Sequence, residues 1–285
     1  MIYVTKDDGE EWTNITKGLP KDLWVTRVTA SMHKSGRVYA ALNGYRWDNY
    51  EAFVYCSDDY GKNWKRLGSN LPFEPVNVIK EDTENGDILY LGTDAGLYVS
   101  TDRGNSFYGF KGNLPNVPIH DLAVHPKENE LIAGTHGRSV YIADIKPIRE
   151  FKKLSKTDKI AIFSIRNIFY NDSWGERGYD WKFNTPDNLV IPFYNTKKQN
   201  LTYRIATDSG KTMYEESAEY DKGINYINYN LTIQETFREG QKNKGKQENK
   251  IKDSGKHYLT AGKYYVEISD GTGVSKQKFE IRKRE

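Results

Sequence analysis

This sequence of 285 residues has little cysteine, no long apolar run and no large excess of charge of one sign. Because Cys56 is the single cysteine, no disulfide can form within the chain, and the fold must depend on its hydrophobic core. No apolar run approaches the roughly 18 residues that a membrane-spanning helix needs. Residues 1–5 show neither the basic n-region nor the apolar h-region of a signal peptide. The net charge of +3 is too small to indicate a nucleic-acid partner.

Aromatic residues and glycine are abundant instead. The chain has 21 Tyr, 11 Phe, 6 Trp and 24 Gly. Aromatic residues favour strands, and glycine favours the tight turns between them, so this composition indicates strands rather than helices. The sequence therefore predicts an all-β protein.

Three segments of the N-terminal half repeat one pattern, an alternating strand followed by Ser/Thr-x-Asp-x-Gly-x-x-Trp/Phe. The segments are residues 2–12, 54–64 and 97–107, and they recur about every 40 to 50 residues, the period of propeller blades. Each repeat predicts one blade. The repeated positions are Thr5, Asp7, Gly9 and Trp12, then Ser57, Asp59, Gly61 and Trp64, then Ser100, Asp102, Gly104 and Phe107.

The flanks of the repeats match as well. A Leu-Pro connection follows each repeat, at residues 18–20, 70–72 and 113–115, and two further strands follow each connection. With strands lettered A to D from the centre outward, the chain opens on C and D and closes on A, B and C, about 13 strands or about three blades. A closed propeller typically has about 4 to 8 blades. We therefore expect the C-terminal part of a longer propeller, with ring closure by self-association as the alternative.

These repeats resemble the Asp-box, or BNR repeat, of sialidases, xyloglucanase-type glycoside hydrolases and the sortilin propeller. The resemblance covers residues 1 to about 148. It implies that Asp7, Asp59 and Asp102 accept backbone N–H groups across a turn and are not catalytic carboxylates. In the families resembled, these turns lie away from the active site.

The pattern changes after the repeats. We predict a propeller segment over 1–148, a linker over 149–160 and an immunoglobulin-like or fibronectin-like β-sandwich over 161–285, with a polar basic loop at 238–256. Residues 259–266 resemble a hairpin of the sandwich that follows the propeller in bacterial Asp-box proteins. The loop is expected to be solvated, the alternative being a grip on an acidic polymer.

Candidate functional residues lie on the propeller end opposite the Asp-boxes, where B-to-C loops meet D-to-A connections. Arg46, Trp47, Asp48 and Tyr50 form the longest such loop and combine flat apolar rings with charged groups, as sugar binding requires. The alternative is that these aromatic rings pack on a neighbouring blade.

Two further sets of residues lie on the same end. His136 and Arg138 form a tight turn that resembles a Gly-Thr-His-Gly-Arg-Ser segment of bacterial Asp-box proteins, and Arg138 is expected to cap the propeller, the alternative being anion binding. Asp48 and Asp94 are the pair of carboxylates whose loop positions permit the separation that a glycosidase needs. The arginine cluster of sialidases and the cysteine-rich module of sortilin are not present, and no metal-ligand spacing emerges.

The sequence predicts a noncatalytic glycan- or protein-binding segment of an exported bacterial Asp-box protein, where export is implied by the resemblance alone. The alternatives are one wall of a glycoside hydrolase cleft and a purely structural scaffold. No cofactor is expected, and self-association is expected if three blades are the whole propeller.

Overall fold

The computed structural model describes residues 1–110, 114–151, 154, 159–178, 182–237 and 254–283. The chain divides into two compact units, Met1–Lys152 and Lys153–Glu285. Asn113 and most of the basic loop predicted at 238–256 lie outside the described residues. Of the helices in the described ranges, none has the length and apolar character needed to cross a bilayer.

The first unit consists of antiparallel sheets that follow one another along the chain. A half-blade of two strands comes first, then two four-stranded blades and one three-stranded blade, which we call blades 1 to 3. This is the all-β arrangement of four-stranded propeller blades that the repeats predict. The strands are β1 (Tyr3–Val4) and β2 (Thr13–Asn14) in the half-blade; β3 (Trp24–Ala30), β4 (Val38–Gly44), β5 (Asn49–Ser57) and β6 (Lys65–Arg66) in blade 1; β7 (Val76–Glu81), β8 (Leu89–Thr93), β9 (Leu97–Ser100) and β10 (Tyr108–Gly109) in blade 2; and β11 (Ile119–Val124), β12 (Glu130–Thr135) and β13 (Val140–Asp144) in blade 3.

The blades pack face to face through aliphatic residues. One apolar cluster joins the half-blade to blade 1 through Ile2, Leu42 and Phe53. A second joins blade 1 to blade 2 through residues such as Val54 and Leu91. Because alternate residues of a strand point to opposite faces, β4 supplies Leu42 to the first cluster and Ala41 to the second.

Hydrogen bonds also join the innermost strands of neighbouring blades. Thr26 Oγ1 donates to the carbonyl of Val76 at 3.1 Å, and Thr29 Oγ1 donates to that of Ile79 at 3.0 Å. These two threonines of β3 therefore bond to β7, and this fixes the position of one blade along the next.

A short helix, α1 (Lys146–Phe151), lies at the end of the first unit and overlaps the linker predicted over 149–160. The helix buries Ile148 and also Arg149, whose side chain is only 8% exposed. The charge of Arg149 predicts a solvated side chain, but hydrogen-bond acceptors from blades 2 and 3 surround its guanidinium. Residues 149–151 of the predicted linker therefore belong to helix α1.

The second unit is built from two sheets. One has the strand order β14-β16-β19, and the other has the order β15-β21-β20-β17-β18. Both supply residues to one core, for example Phe193 from the first sheet and Val266 from the second. The strands are β14 (Ile160–Ile162), β15 (Ile168–Tyr170), β16 (Leu189–Asn195), β17 (Gln199–Thr207), β18 (Thr212–Tyr220), β19 (Gly223–Tyr229), β20 (Gly262–Ser269) and β21 (Val274–Lys283).

Of the strand pairs described in this unit, all but one are antiparallel. β15 pairs with β21 in parallel, from Ile168 opposite Ile281 to Tyr170 opposite Lys283. Its assignment to the immunoglobulin-like or fibronectin-like class stays a prediction. The strands that the apolar pattern does not reveal include β18, an edge strand rich in Glu, because an edge strand does not need a continuous apolar face.

Candidate functional site

The two ends of the propeller unit are distinguished by their connections. The turn after the third strand of a blade contacts the turn after its first strand: Tyr60 N–H donates to the Gly36 carbonyl at 2.8 Å, and Arg103 N–H donates to the Asp87 carbonyl at 2.9 Å. The loops between the second and third strands therefore meet at the other end, which we call the loop face.

The three Asp-box turns, residues 5–12, 57–64 and 100–107, share one pattern of hydrogen bonds. In the second turn, Ser57 Oγ donates to Asp59 Oδ1 at 2.8 Å and accepts the Gly61 N–H at 2.8 Å. The Asn63 N–H then donates to Asp59 Oδ1 at 2.9 Å. Gly61 has φ of +81°, and the residue before it, Tyr60, has φ of +61°. In the first turn the corresponding hydrogen bonds run from Thr5 to Asp7, from Gly9 to Thr5 and from Glu11 to Asp7. In the third turn they run from Ser100 to Asp102, from Gly104 to Ser100 and from Ser106 to Asp102.

These donors stabilise the ionised carboxylates. Hydrogen bonds from Asn63, first its backbone and then its side chain, lower the pKa of Asp59 to about 2. The Thr5 hydroxyl and the Glu11 N–H lower the pKa of Asp7. Burial opposes the same effect at Asp102, but hydrogen bonds from Ser106 outweigh it, so the pKa of Asp102 is lowered as well. A carboxylate that already accepts hydrogen bonds within its own turn is poorly suited to transfer a proton to or from a substrate.

The loop between β4 and β5 forms an aromatic cluster on the loop face. Tyr45–Trp47 is a single turn of 3-10 helix. The Arg46 guanidinium lies 3.8 Å from the centroid of the Trp24 ring, and the Trp47 ring meets Trp24 edge-on with centroids 6.2 Å apart. Tyr45 and Tyr50 form a second edge-on pair at 6.0 Å. The loop rings therefore pack on one another and on the first residue of their own blade.

The rings of this cluster stay accessible. Trp24 is 48% exposed, Trp47 51% and Tyr45 56%. Asp48 ends the short helix with φ of +55° and ψ of +25°, and its N–H donates to the Tyr45 carbonyl. The structure thus brings Arg46, Trp47 and Asp48 of the loop together with Tyr50, the second residue of β5, and with Trp24. Trp24 begins β3 four residues after Pro20 of a Leu-Pro connection, and this position is the sequence signal for its place on the loop face.

Asp94 belongs to a different arrangement. Its carboxylate accepts a hydrogen bond from Asn77 Nδ2 at 2.8 Å, and Asn77 Oδ1 accepts one from Asn43 Nδ2 at 3.2 Å. Asn43 Oδ1 in turn accepts the Tyr45 N–H at 2.8 Å. This chain of amides connects blade 2 to the Tyr45 backbone of the loop in blade 1. The chain runs to Asp94 and not to Asp48, so the two carboxylates of the predicted pair have different surroundings.

His136 and Arg138 are exposed in the corresponding loop of blade 3. The His136 N–H donates to the Pro118 carbonyl at 2.9 Å, and the Arg138 N–H donates to Thr135 Oγ1 at 3.2 Å. The His136 ring lies 5.2 Å from the ring of His120. The loop is therefore fixed through its backbone, and the side chains of His136 and Arg138 are exposed. The part of the chain that the structure describes contains no cluster of three His, Cys, Asp or Glu suited to a metal ion.

One ion pair of the inner strands connects blades that are not adjacent in the chain. Arg27 of β3 donates to the carboxylate of Asp121 on β11 at 2.6 Å. The two residues belong to blades 1 and 3, so the pair spans the inner strand of blade 2. The sequence does not predict this contact, because the two residues are far apart in the chain and neither lies in a repeated motif.

The fold and these turns define the N-terminal unit as part of an Asp-box propeller with four-stranded blades. The family model of Sortilin-Vps10, whose description reads sortilin, neurotensin receptor 3, matches residues 52–268. Because this match covers more than half of the chain, the chain belongs to the Sortilin-Vps10 family. The resemblance to sortilin and xyloglucanase-type propellers is thereby confirmed.

Individual relatives match shorter stretches. Vacuolar protein sorting/targeting protein 10 of Paracoccidioides brasiliensis (strain Pb03) is 30% identical over 90 residues, which are 30% of this chain and 6% of that protein. The xyloglucanase of Hypocrea jecorina (strain QM6a) is 28% identical over 114 residues, 34% of this chain and 14% of the enzyme. The chain therefore spans a small part of the length of these relatives.

Among solved structures, the GH74 xyloglucanase of Xanthomonas campestris is 13% identical with a TM-score of 0.34, over 71% of this chain and 29% of that one. PorZ of Porphyromonas gingivalis, a surface component of the type-IX secretion system, is 13% identical with a TM-score of 0.35, over 90% of this chain and 30% of that one.

Proposed function

We propose that the loop face of the propeller unit is a noncatalytic binding surface for a glycan. The observation that carries this proposal is the aromatic cluster of Trp24, Arg46 and Trp47, in which two tryptophan rings remain about half exposed while an arginine stacks on one of them. Exposed tryptophans of soluble proteins commonly mark contact surfaces, because their burial by a ligand is favourable.

The chemistry of the cluster suits a sugar. A pyranose presents an apolar C–H face and a rim of hydroxyls, and Trp47 offers a flat apolar ring beside the charged groups of Arg46 and Asp48. The edge-on contact with Trp24 and the stacked guanidinium hold the rings in place before the ligand arrives. A surface ordered in advance loses less conformational entropy on binding.

The test is affinity electrophoresis of the whole chain in gels that contain xyloglucan, compared with gels without polysaccharide. We expect the wild type to be retarded, and we expect Trp47→Ala and Trp24→Ala to lose most of the retardation. Tyr108→Ala is the matched control, because Tyr108 is 65% exposed but lies on the outermost strand of blade 2. Equal retardation of Trp47→Ala and the wild type would remove the aromatic cluster from the proposal.

Similarity to a xyloglucanase favours a second candidate, in which this segment forms one wall of a glycoside hydrolase cleft. In that case Asp48 and Asp94 are the carboxylates to test. Reducing-sugar release from xyloglucan by the wild type, together with its loss in Asp48→Asn and Asp94→Asn, would support the hydrolase. Binding without any release of reducing sugar would support the noncatalytic surface. Export of the protein stays a prediction.

A further inference from the structure

A cavity of about 380 Å³ lies between the Asp-box turns of blades 1 and 2. Blade 1 contributes Trp64 and Lys65 to its lining, and blade 2 contributes Arg103 and Asn105. Lys65 bridges the two blades, because its Nζ donates to Asn105 Oδ1 at 3.1 Å. Sites for small molecules commonly have volumes of roughly 300 to 1,000 Å³. The cavity is therefore large enough for a small ligand.

The residues at two repeated positions explain why this space is open. Between the half-blade and blade 1, the Lys6 ammonium lies 4.1 Å from the centroid of the Tyr60 ring, so side chains of successive turns meet. The same two positions between blades 1 and 2 are occupied by Asp58 and Arg103. These two charges could pair across the gap, but each forms its ion pair with a residue of its own blade. The side chains that could bridge the cavity are thus held at its two sides.

The carboxylates that line the cavity already have donors. Asp58 accepts hydrogen bonds from Arg37 Nε at 2.5 Å and from Arg37 Nη2 at 3.1 Å, and Lys34 Nζ lies 3.0 Å from its Oδ2. These partners, first the hydrogen bond from Arg37, lower the pKa of Asp58 to about 2. Asp59 accepts hydrogen bonds from its own turn, including two from Asn63. Both carboxylates are therefore compensated by groups of the protein itself.

Two cations of the lining have donors that are not used. The Lys65 ammonium bonds to the neutral amide of Asn105, and it forms no ion pair with any carboxylate of the described residues. Arg103 Nε pairs with Asp87, but in the described part of the chain its two terminal nitrogens meet no acceptor. The cavity therefore offers positively charged hydrogen-bond donors, one from each blade, to an anion.

We propose that this cavity binds a phosphate monoester of a small sugar, with the phosphate held between Lys65 and Arg103. Lysine and arginine both form charge-assisted hydrogen bonds with phosphate oxygens. Because a phosphate monoester has three terminal oxygens, it can accept from both cations at once. Trp64 and Leu67 give the cavity an apolar surface for the sugar ring. The site lies at the Asp-box end of the unit and is independent of the glycan proposal.

The test is isothermal titration calorimetry of the chain of residues 1–285 at low ionic strength, with glucose 6-phosphate, inorganic phosphate and glucose as separate ligands. We expect glucose 6-phosphate to bind, inorganic phosphate to bind about tenfold more weakly because it lacks the ring, and glucose not to bind. Lys65→Met and Arg103→Met should each weaken the binding of glucose 6-phosphate about tenfold or more, because each removes a charge-assisted hydrogen bond.

A matched control and a reporter locate the site. Lys62 is exposed in the same turn of blade 1 but does not line the cavity, so Lys62→Met should bind like the wild type. Cys56 does line it, so glucose 6-phosphate should slow the alkylation of Cys56 by iodoacetamide in the wild type and not in Lys65→Met. Thermal unfolding checks that every variant keeps the wild-type fold.

Four outcomes would overturn the proposal. The first is that glucose 6-phosphate does not bind the wild type, and the second is that Lys65→Met binds it as tightly as the wild type does. An equal loss of affinity in Lys62→Met would show general attraction of an anion to a basic surface. Inorganic phosphate that binds as tightly as glucose 6-phosphate would show that the sugar ring makes no contact in the cavity.

Discussion

Replacing Arg149 with Met is expected to destabilise the propeller unit by about 3 kcal/mol, because breaking one side of a buried ion pair leaves the other charge uncompensated. The guanidinium is 8% exposed and Asp82 is not exposed at all. Its Nε lies 3.1 and 3.2 Å from the carboxylate oxygens of Asp82. The two terminal nitrogens donate to Glu84 and Asn129 at 2.7 Å and to Thr83 at 3.1 Å.

The magnitude follows from what Asp82 keeps. After the substitution, its carboxylate still accepts hydrogen bonds from Tyr90 OH at 2.9 Å and from the N–H groups of Glu84 and Asn85 at 2.8 and 3.0 Å. These neutral donors compensate part of the buried charge, so we expect the lower end of the range of roughly 3 to 5 kcal/mol for a broken buried pair. For a unit of this size, that loss corresponds to a fall in Tm of about 6 to 12 °C.

The assay is urea denaturation followed by tryptophan fluorescence, which reports mainly on the first unit because it contains Trp12, Trp24, Trp47 and Trp64. Arg149→Lys should be intermediate, since an ammonium group cannot match the fork of the guanidinium. Adding Asp82→Asn to Arg149→Met should restore part of the stability by removing the unpaired charge. The control Arg103→Met breaks an exposed pair with Asp87 and should change stability by less than about 1 kcal/mol. A loss in Arg149→Met no larger than that of this control would refute the reasoning.

Three further predictions concern the Asp-box turns and the single cysteine. Gly61→Ala should lower the thermal stability of the protein more than Gly210→Ala. Both glycines have φ above +80°, but only at Gly61 would the new Cβ lie 2.5 Å from Ile15. Equal losses of stability would mean that backbone strain alone matters. The pKa of Asp59 is lowered to about 2 in the folded state, so its contribution to stability is complete above about pH 4 and is lost as the pH falls toward 2. Urea titrations between these pH values should show a shallower fall for Asp59→Asn than for the wild type, and identical slopes would contradict this. Burial raises the pKa of Cys56 to about 11, so at pH 8 iodoacetamide should alkylate the native chain about 100-fold more slowly than the urea-unfolded chain. Comparable rates would show that the thiol is accessible and that its pKa is not raised.

The blades of the first unit can be predicted from short-range patterns in the sequence. The bonds of an Asp-box turn join residues two to four positions apart, so their donors and acceptors are visible in a short motif. Apolar residues bounded by turn signals mark the inner strands as well, and β3 and β7 each follow a Leu-Pro connection, as the repeats predict. The position of the loop face follows from this strand order.

Which distant side chains meet depends on how the sheets pack. Arg149 and Asp82 are 67 residues apart in the sequence, and Asn43 and Asn77 are 34 apart, so no local pattern pairs them. The same holds for the second unit, where the parallel contact of β15 with β21 joins the two ends of the domain. Local sequence sets backbone conformation because turns and strands depend on near neighbours, whereas the partners of buried polar groups are chosen by packing between sheets. For this reason Arg149 resembles a linker residue in the sequence and is a buried residue in the fold.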